Sequence, residues 1–289
     1  MSMKKEKFFG IFCLLMVAVI FGFAFSFQSI AAAHMTPFLL NGVRFLLSSL
    51  VLSPVLFRKK LNKTLLLAGF LDGLFLFLAT GLQQTAIQDT SAGKTGFLTA
   101  LYIVFVPLVS FLFFRKRFGR NVVFSILLAL AGLYLLCGLS MEDLTLRPHD
   151  FYLILTAFFF AMQILVIERY VTVVDPFPMS TIAFFTCGIL SLLCGFFLEP
   201  LDFSGITPAL GAILYLSLGS TCLGYGFQAV GQQLVESTAA SLLMSLESIF
   251  SLIGGYLLLH QTLTEKELLG ALLLFIAVIL CQIPDRRRG

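Results

Sequence analysis

The sequence lacks charge, and this shortage is its first informative feature. Of the 289 residues only 12% are charged, whereas 59% are hydrophobic. Water-soluble domains carry about 25% charged residues, and polar positions interrupt their apolar segments every few residues. The mean hydropathy of +1.01 therefore excludes a soluble globular domain, and it indicates that lipid surrounds most side chains.

Alternation of apolar and polar residues, which transmembrane strands require, is also missing. Apolar runs recur along the whole length, and a run of about 18 or more residues is long enough to cross the hydrocarbon core as a helix. In lipid the backbone must satisfy its own hydrogen bonds, which leaves only helices and closed barrels. We therefore predict an all-α integral membrane protein.

Residues that would bind metals or perform catalysis are scarce. The six cysteines all lie inside apolar runs without a C-x-x-C pair, so we predict no disulfide framework, metal site or cofactor. The histidines, at positions 34, 149 and 260, lie near span ends, and neither H-E-x-x-H nor a serine elbow occurs. The net charge of +4 is placed in short loops. These features argue against an enzyme and against a nucleic-acid partner.

The lengths of the apolar runs and the short polar segments between them predict ten membrane spans. They cover residues 8–32, 37–57, 64–87, 91–114, 121–139, 150–172, 177–198, 208–233, 238–260 and 266–283. The first span is too long for the core of a signal peptide. The loops are short, so neighbouring helices must be antiparallel.

Basic residues predict the orientation of these spans. If the N-terminus is cytoplasmic, 15 of the 19 basic residues fall on the inner side, as the positive-inside rule requires. We therefore predict a multi-pass protein of the cell (cytoplasmic) membrane, with both termini in the cytoplasm.

The chain repeats itself. "MTPFLLNGVRFLL" (35–47) matches "VDPFPMSTIAFFT" (174–186), and the polar hinge at residues 89–92 is echoed at residues 236–239. The division at residue 143 gives two repeats, 1–143 and 144–289, of five spans each. Because five is odd, the second repeat enters the membrane from the opposite face, which is typical of carriers with a midplane site. The hydroxyls of Thr90, Ser91, Ser237 and Thr238 are expected to cap the helices that follow the hinges.

Several segments resemble a known family. "TSAGKTGFLTALYIVFVPLVSFLFFRKRFGRNVVFSILLALAGLYLL" and "SLESIFSLIGGYLLLHQTLTEKELLGALLLFIAVIL" are similar to spans four and five, and nine and ten, of EamA-type members of the drug/metabolite transporter superfamily. Arg44 falls where such proteins usually carry an arginine. Lys116, Gln261 and Ser248 depart from the family pattern. The resemblance implies two five-helix repeats and a substrate among amino acids, amines or related metabolites, often exported.

Charged residues inside spans are the first candidates for a solute site, because each costs roughly 2.5–3.5 kcal/mol at the bilayer centre without a partner or water. Five positions qualify: Arg44, Asp72, Lys94, Glu247 and, less clearly, Glu168. Glu247 could bind a cationic solute or exchange a proton, or it could form a structural ion pair with Arg44 or Lys94. Arg44 and Asp72 could equally act in gating or charge pairing. Lys94 could reach the outer interface or attract an anionic group.

Polar residues at helical spacing are the second set of candidates. Thr221, Tyr225, Gln228 and Gln232 step by 4, 3 and 4 along span eight, so an α-helix would align them on one face. Span three has a thinner counterpart in Asp72, Leu76, Ala79 and Gln83. Tyr102 and Ser251 neighbour Lys94 and Glu247 along their own helices. Such residues could line a cavity or could join helices by hydrogen bonds.

The predicted function is therefore secondary transport of a small polar or zwitterionic organic solute. The expected partners are that solute, membrane lipid and a coupling proton or cation, for a monomer or homodimer. A lipid scramblase with a lateral polar groove is the alternative.

Overall fold

The structure is a computed structural model that describes residues 3–58, 61–87, 92–116, 118–137, 148–200, 202–259 and 264–283. Within these ranges the regular structure is entirely helical. The α-helices are α1 (Met3–Ala32), α2 (Pro37–Leu52), α3 (Lys63–Ala86), α4 (Ala92–Ala100), α5 (Tyr102–Phe114), α6 (Arg120–Leu136), α7 (Pro148–Tyr170), α8 (Pro176–Leu198), α9 (Leu210–Leu214), α10 (Gly226–Gln232), α11 (Ser237–Met244), α12 (Glu247–Leu259) and α13 (Glu265–Gln282). Short 3₁₀ helices cover Ser53–Arg58 and Ser204–Ile206, and a π-helix covers Tyr215–Tyr225.

Eight helical segments of the described chain are long and apolar enough to cross a membrane. The helix α6 has 17 residues and is slightly too short. The helix α13 has 18 residues but begins with Glu265, Lys266 and Glu267. The prediction of a helical membrane protein is confirmed, whereas the count of ten spans stays a prediction.

Four of the predicted spans are not single α-helices. The second continues from α2 into the 3₁₀ helix Ser53–Arg58. The fourth breaks at Leu101 between α4 and α5, and the ninth breaks at Ser245 and Leu246 between α11 and α12. The eighth runs from α9 through the π-helix into α10. Helix interruptions leave backbone groups without their usual partners, so membrane proteins place them against protein or water.

Two prolines that match in the sequence repeat begin equivalent helices. Pro37 is in the first turn of α2 and Pro176 in the first turn of α8, where a missing N–H costs nothing. The start of α2 is capped from elsewhere in the chain. Glu199, which follows α8, accepts hydrogen bonds from the backbone N–H of Phe38 at 3.1 Å and of Leu39 at 3.3 Å. This bond fixes the end of α8 against the start of α2.

The second polar hinge is capped in a way the sequence did not predict. Glu236 is the N-cap residue of α11 and provides no side-chain bond to it. The N–H of Ser237 instead donates to Glu168 on α7 at 3.2 Å, while the Ser237 hydroxyl accepts from Gln232 at 3.2 Å. The expected hydroxyl cap is therefore wrong at this hinge, because the hydroxyl is used between helices. The first hinge, at residues 88–91, lies outside the described residues.

Several helix contacts in the first part of the chain have equivalents in the second part. The helix α3 packs on α7 and α8, and its counterpart, the π-helix with α10, packs on α1 and α2. The helix α1 packs on α12, and its counterpart α7 packs on α4 and α5. The helices α6 and α13, which close the two halves, pack on each other.

The α6–α13 contact depends on glycine. A Cβ added at Gly132 would lie 2.7 Å from the backbone nitrogen of Leu274 and 2.9 Å from the carbonyl oxygen of Gly270. Small residues let helix backbones approach closely in lipid, where van der Waals packing drives association. The outer surface is correspondingly apolar, with Phe57 and Phe197 exposed, while polar residues such as Asn41 and Ser191 are buried.

Candidate functional site

A polar cavity of about 60 Å³ lies in the middle of the bundle. Helices of both halves contribute to its wall. Its polar lining consists of Gln28, Arg44, Thr80, Gln83, Thr99, Tyr102, Gln163, Ser220, Tyr225, Gln228 and Glu247. One water needs roughly 10–15 Å³ of such space and two to four polar partners, so the cavity has room for several waters or a small polar group.

The two broken spans meet at this cavity. Tyr102 is the first residue of α5 and Glu247 is the first residue of α12, so each stands immediately after its helix break. The Tyr102 hydroxyl donates to Oε1 of Glu247 at 3.1 Å, and both side chains are buried. The ion pair of Glu247 with Arg44 that the sequence left open is not formed. The side chain of Lys94 lies outside the described residues.

A second cavity, of about 200 Å³, adjoins the first and shares Glu247 with it. Its wall carries hydroxyl groups from α1, α4 and α12. These belong to Ser26, Ser29, Thr95, Ser248 and Ser251. The hydroxyl oxygen of Thr95 is buried, and no residue that the structure describes forms a hydrogen bond with it. The predicted site residue Ser251 therefore lies in this second cavity, and its hydroxyl donates to the carbonyl of Ser248 at 2.8 Å.

Arg44 lines the central cavity from α2 and is only 3% exposed. Its guanidinium carbon lies 4.6 Å from the ring centroid of Phe45. Nε of Arg44 has no hydrogen-bond acceptor among the described residues. The Oε1 atom of Gln28, on the same wall, is buried and likewise has no partner in the described part of the chain.

Asp72 does not line the cavity itself, but the side chain of Gln163, which does, forms a hydrogen bond with it. Gln163 on α7 donates to Oδ1 of Asp72 at 2.9 Å. Gln228 on α10 donates to Gln163 at 3.1 Å and to Gln232 at 3.0 Å. The three glutamines thus form a continuous polar ladder from Asp72 along the contact of α7 with α10, which we call the glutamine ladder.

The glutamine ladder ends at a charged cluster on the bundle surface. Gln232 donates to the hydroxyl of Ser237, and the backbone N–H of Ser237 donates to Glu168. Lys116, just after α5, lies 3.0 Å from Glu168 and 3.6 Å from Glu236. The cluster joins the ends of α5 and α7 to the start of α11.

The π-helix changes which span-eight residues face the cavity. Tyr225 and Gln228 line it, but Thr221 and Gln232 do not. The backbone of Tyr215–Tyr225 is a π-helix, whose turns are wider than those of an α-helix, and Ser220 rather than Thr221 joins Tyr225 at the wall. The Thr221 hydroxyl instead donates to the carbonyl of Leu216 at 2.8 Å.

Span three contributes Gln83, whose amide donates to the hydroxyl of Thr99 at 3.3 Å. Sequence reasoning missed Gln28 and Gln163, although each is a lone amide in an apolar run and could have been found on that signal. It also missed Thr80, Thr99 and Ser220. Serine and threonine often form hydrogen bonds between membrane helices. Their presence in a span therefore does not by itself predict that they line a cavity.

Known proteins resemble this chain over nearly its full length. The sequence model of the EamA-like transporter family matches residues 8–138 and again residues 147–282. An uncharacterized transporter of Archaeoglobus fulgidus is 29% identical over 270 residues, which is 93% of this chain and 84% of that protein. A probable amino-acid metabolite efflux pump of Salmonella typhimurium is 28% identical over 280 residues, with 91% of each chain covered. A solved crystal structure with 15% identity superposes with a TM-score of 0.77 over 96% of both chains, so the fold is shared.

Proposed function

The chain belongs to the EamA-like transporter family, and on that premise we propose that it is a secondary active transporter of a small polar or zwitterionic organic solute. The observation that carries the proposal is the central cavity, which presents a carboxylate, Glu247, and a guanidinium, Arg44, within an apolar bundle. Buried charge is expensive in lipid and is retained where it has a use. A relative named as a probable amino-acid metabolite efflux pump supports amino acids or related metabolites as the solute and export as the direction.

Two inverted five-span repeats, residues 1–143 and 144–289, are the proposed architecture. Two successive matches to one family model support this division. The exchange of helix contacts between the first and last five segments supports it independently. An inverted repeat lets the two halves rock about a fixed midplane site, which is the usual basis of alternating access.

The proposed transport cycle alternates the access of the central cavity between two ends. One end carries the second cavity, which adjoins Glu247. The other end is closed by the glutamine ladder and the cluster of Lys116, Glu168 and Glu236. In the orientation that the basic residues favour, the closed end faces the cytoplasm. Reporter fusions at Arg120 and Arg147 test this: they should report opposite sides of the membrane, and a shared side contradicts the ten-span topology.

Glu247 is the proposed coupling residue. It is the one acidic residue of the described cavity walls that both cavities share. A carboxyl group in that position can exchange a proton or a cation with one end and release it to the other. Its bond to Tyr102 links that exchange to the two helix breaks.

Uptake into proteoliposomes tests the function. Purified protein is reconstituted, an inward or outward proton gradient is imposed, and a library of amino acids, amines and related metabolites is screened against empty vesicles. We expect at least one zwitterionic or cationic solute to accumulate in a gradient-dependent way. A fluorescent-lipid flipping assay on the same vesicles covers the scramblase alternative. Flipping without solute uptake would overturn the transporter assignment.

A further inference from the structure

Arg44 is a buried cation whose charge has no counter-ion among the described residues. Its guanidinium makes no hydrogen bond or ion pair with any of them, and its central carbon lies 4.6 Å from the ring centroid of Phe45. No ion pair within the described part of the chain therefore neutralises this positive charge.

Two of the buried carboxylates, those of Asp72 and Glu247, form hydrogen bonds with other residues and no ion pair with Arg44. Oδ1 of Asp72 accepts a hydrogen bond from Gln163, and Oε1 of Glu247 accepts one from Tyr102. An unpaired buried charge is strongly unfavourable unless another group or water compensates it. Arg44 faces a cavity with room for such a group, and Nε is a buried donor without an acceptor on that wall.

We propose that Arg44 is the anchor for a carboxylate on the transported solute. The proposal rests on the transport function proposed above and assigns the residue that selects the solute class. A guanidinium presents its N–H donors in a planar fork that matches the two oxygens of a carboxylate. Glu247, on the same cavity, offers a negative charge to a cationic group of that solute. The expected ligand carries both a carboxylate and an ammonium group.

Matched pairs of ligands test the anchor. The probes are leucine, phenylalanine, threonine and glutamine, each beside its α-amide, which keeps the ammonium and lacks the carboxylate. Binding to the purified protein is measured by thermal shift and by calorimetry, and uptake by proteoliposomes. We expect wild-type protein to prefer at least one amino acid over its amide by about tenfold or more, the range for a charge-assisted hydrogen bond.

The Arg44→Gln variant should lose this preference and bind the amino acid and its amide equally. It should also melt at a higher temperature than wild type without ligand, because the uncompensated charge is gone. The Arg44→Lys variant keeps the charge but not the fork, and it should keep only part of the preference. Arg169→Gln removes an exposed cation at the end of α7 and is the matched control, with wild-type preference expected.

The outcomes distinguish failure of the Arg44 proposal from failure of the proposed transport function. If wild-type vesicles take up a probe but Arg44→Gln retains the preference for the acid, the anchor is wrong and transport stands. A sharply lower melting temperature for both Arg44 variants, with preference intact, makes Arg44 structural and overturns the proposal. Equal stabilisation by chloride or inorganic phosphate assigns the site to a small inorganic anion and also overturns it. No uptake or binding of any metabolite by wild-type protein contradicts the proposed function itself.

Discussion

At one end of the interior, Gln228, Gln232 and Ser237 bond one another and lead to the charged cluster around Lys116. At the other end, hydroxyl groups surround a cavity of about 200 Å³, and that of Thr95 has no partner among the described residues. Glu247 lies between the two ends. The polar side chains of the first end are therefore satisfied by each other, whereas the Thr95 hydroxyl at the second end is available to water or solute.

A change of access would have to break the hydrogen bonds and the ion pair at the end that carries the glutamine ladder. Hydrogen bonds between membrane helices contribute about 0.6 kcal/mol each, and a partly exposed ion pair contributes about 0–1 kcal/mol. The glutamine ladder and its charged cluster together then hold the closed end by a few kcal/mol. That is the scale on which a bound solute or proton shifts a two-state equilibrium.

The largest expected effect is at Glu247, where the two ends meet. Glu247→Gln should reduce gradient-driven uptake about 10- to 100-fold, since it removes a charged hydrogen-bonding group from both cavities. It should also remove the pH dependence of the remaining uptake, because glutamine cannot exchange a proton. Uptake is measured in proteoliposomes across a range of external pH.

Tyr102→Phe is the matched control for Glu247. It removes the hydrogen bond at 3.1 Å but keeps the carboxyl group, so coupling should survive with a smaller loss of rate. A Glu247→Gln protein with undiminished gradient-driven uptake and the wild-type pH profile would show that the coupling proposal is wrong.

The glutamine ladder provides the next largest effect. Gln228 lines the central cavity, whereas Gln232 belongs to the closed end alone. Gln228→Leu should weaken solute binding by about three- to tenfold, the scale of one or two neutral hydrogen bonds. Gln232→Leu should leave the affinity within about twofold. Calorimetry with the solute found in the uptake screen measures both, and equal affinities for the two variants count against a binding role for Gln228.

Hydropathy could predict the helical fold because the bilayer leaves few alternatives to an apolar helix. It could not predict the breaks at Leu101 and Ser245, since these interrupt apolar runs without a proline or glycine at the break. The π-helix of span eight could not be predicted from the sequence either. The predicted alignment of Thr221 with Tyr225 assumed an α-helical turn, and the wider turn of the π-helix moves Thr221 off the wall.

Within the site, sequence reasoning could find charged residues but not their partners. Glu247 and Tyr102 were both candidates, yet their contact depends on the packing of α5 against the second half. Lys116 and Glu168 are 52 residues apart and meet only because α5 and α7 end side by side. Such pairings follow from tertiary structure, which the spacing of residues within one helix cannot reveal.

A smaller effect is expected at the charged cluster. Lys116→Met should raise hydrogen–deuterium exchange in peptides covering 164–171 and 232–241 by about two- to fivefold, the population shift that a partly exposed ion pair can produce. Peptides covering 26–32 and 248–255, at the other end, should not change. Lys63→Met, at the exposed start of α3, is the charge-matched control. Uniform exchange changes at both ends would remove the distinction between them.

The smallest effect is expected from a single hydroxyl at the end with the larger cavity. Ser251 bonds only within its own helix, to the carbonyl of Ser248, whereas Ser237 accepts a bond from Gln232 on a neighbouring helix segment. Ser251→Ala should leave uptake within about twofold and the melting temperature unchanged. Ser237→Ala should destabilise the protein by about 0.6 kcal/mol, because it leaves an amide of the glutamine ladder without that acceptor. Thermal unfolding in detergent compares them, and a greater loss at Ser251 than at Ser237 would reverse the assignment of which end is held shut.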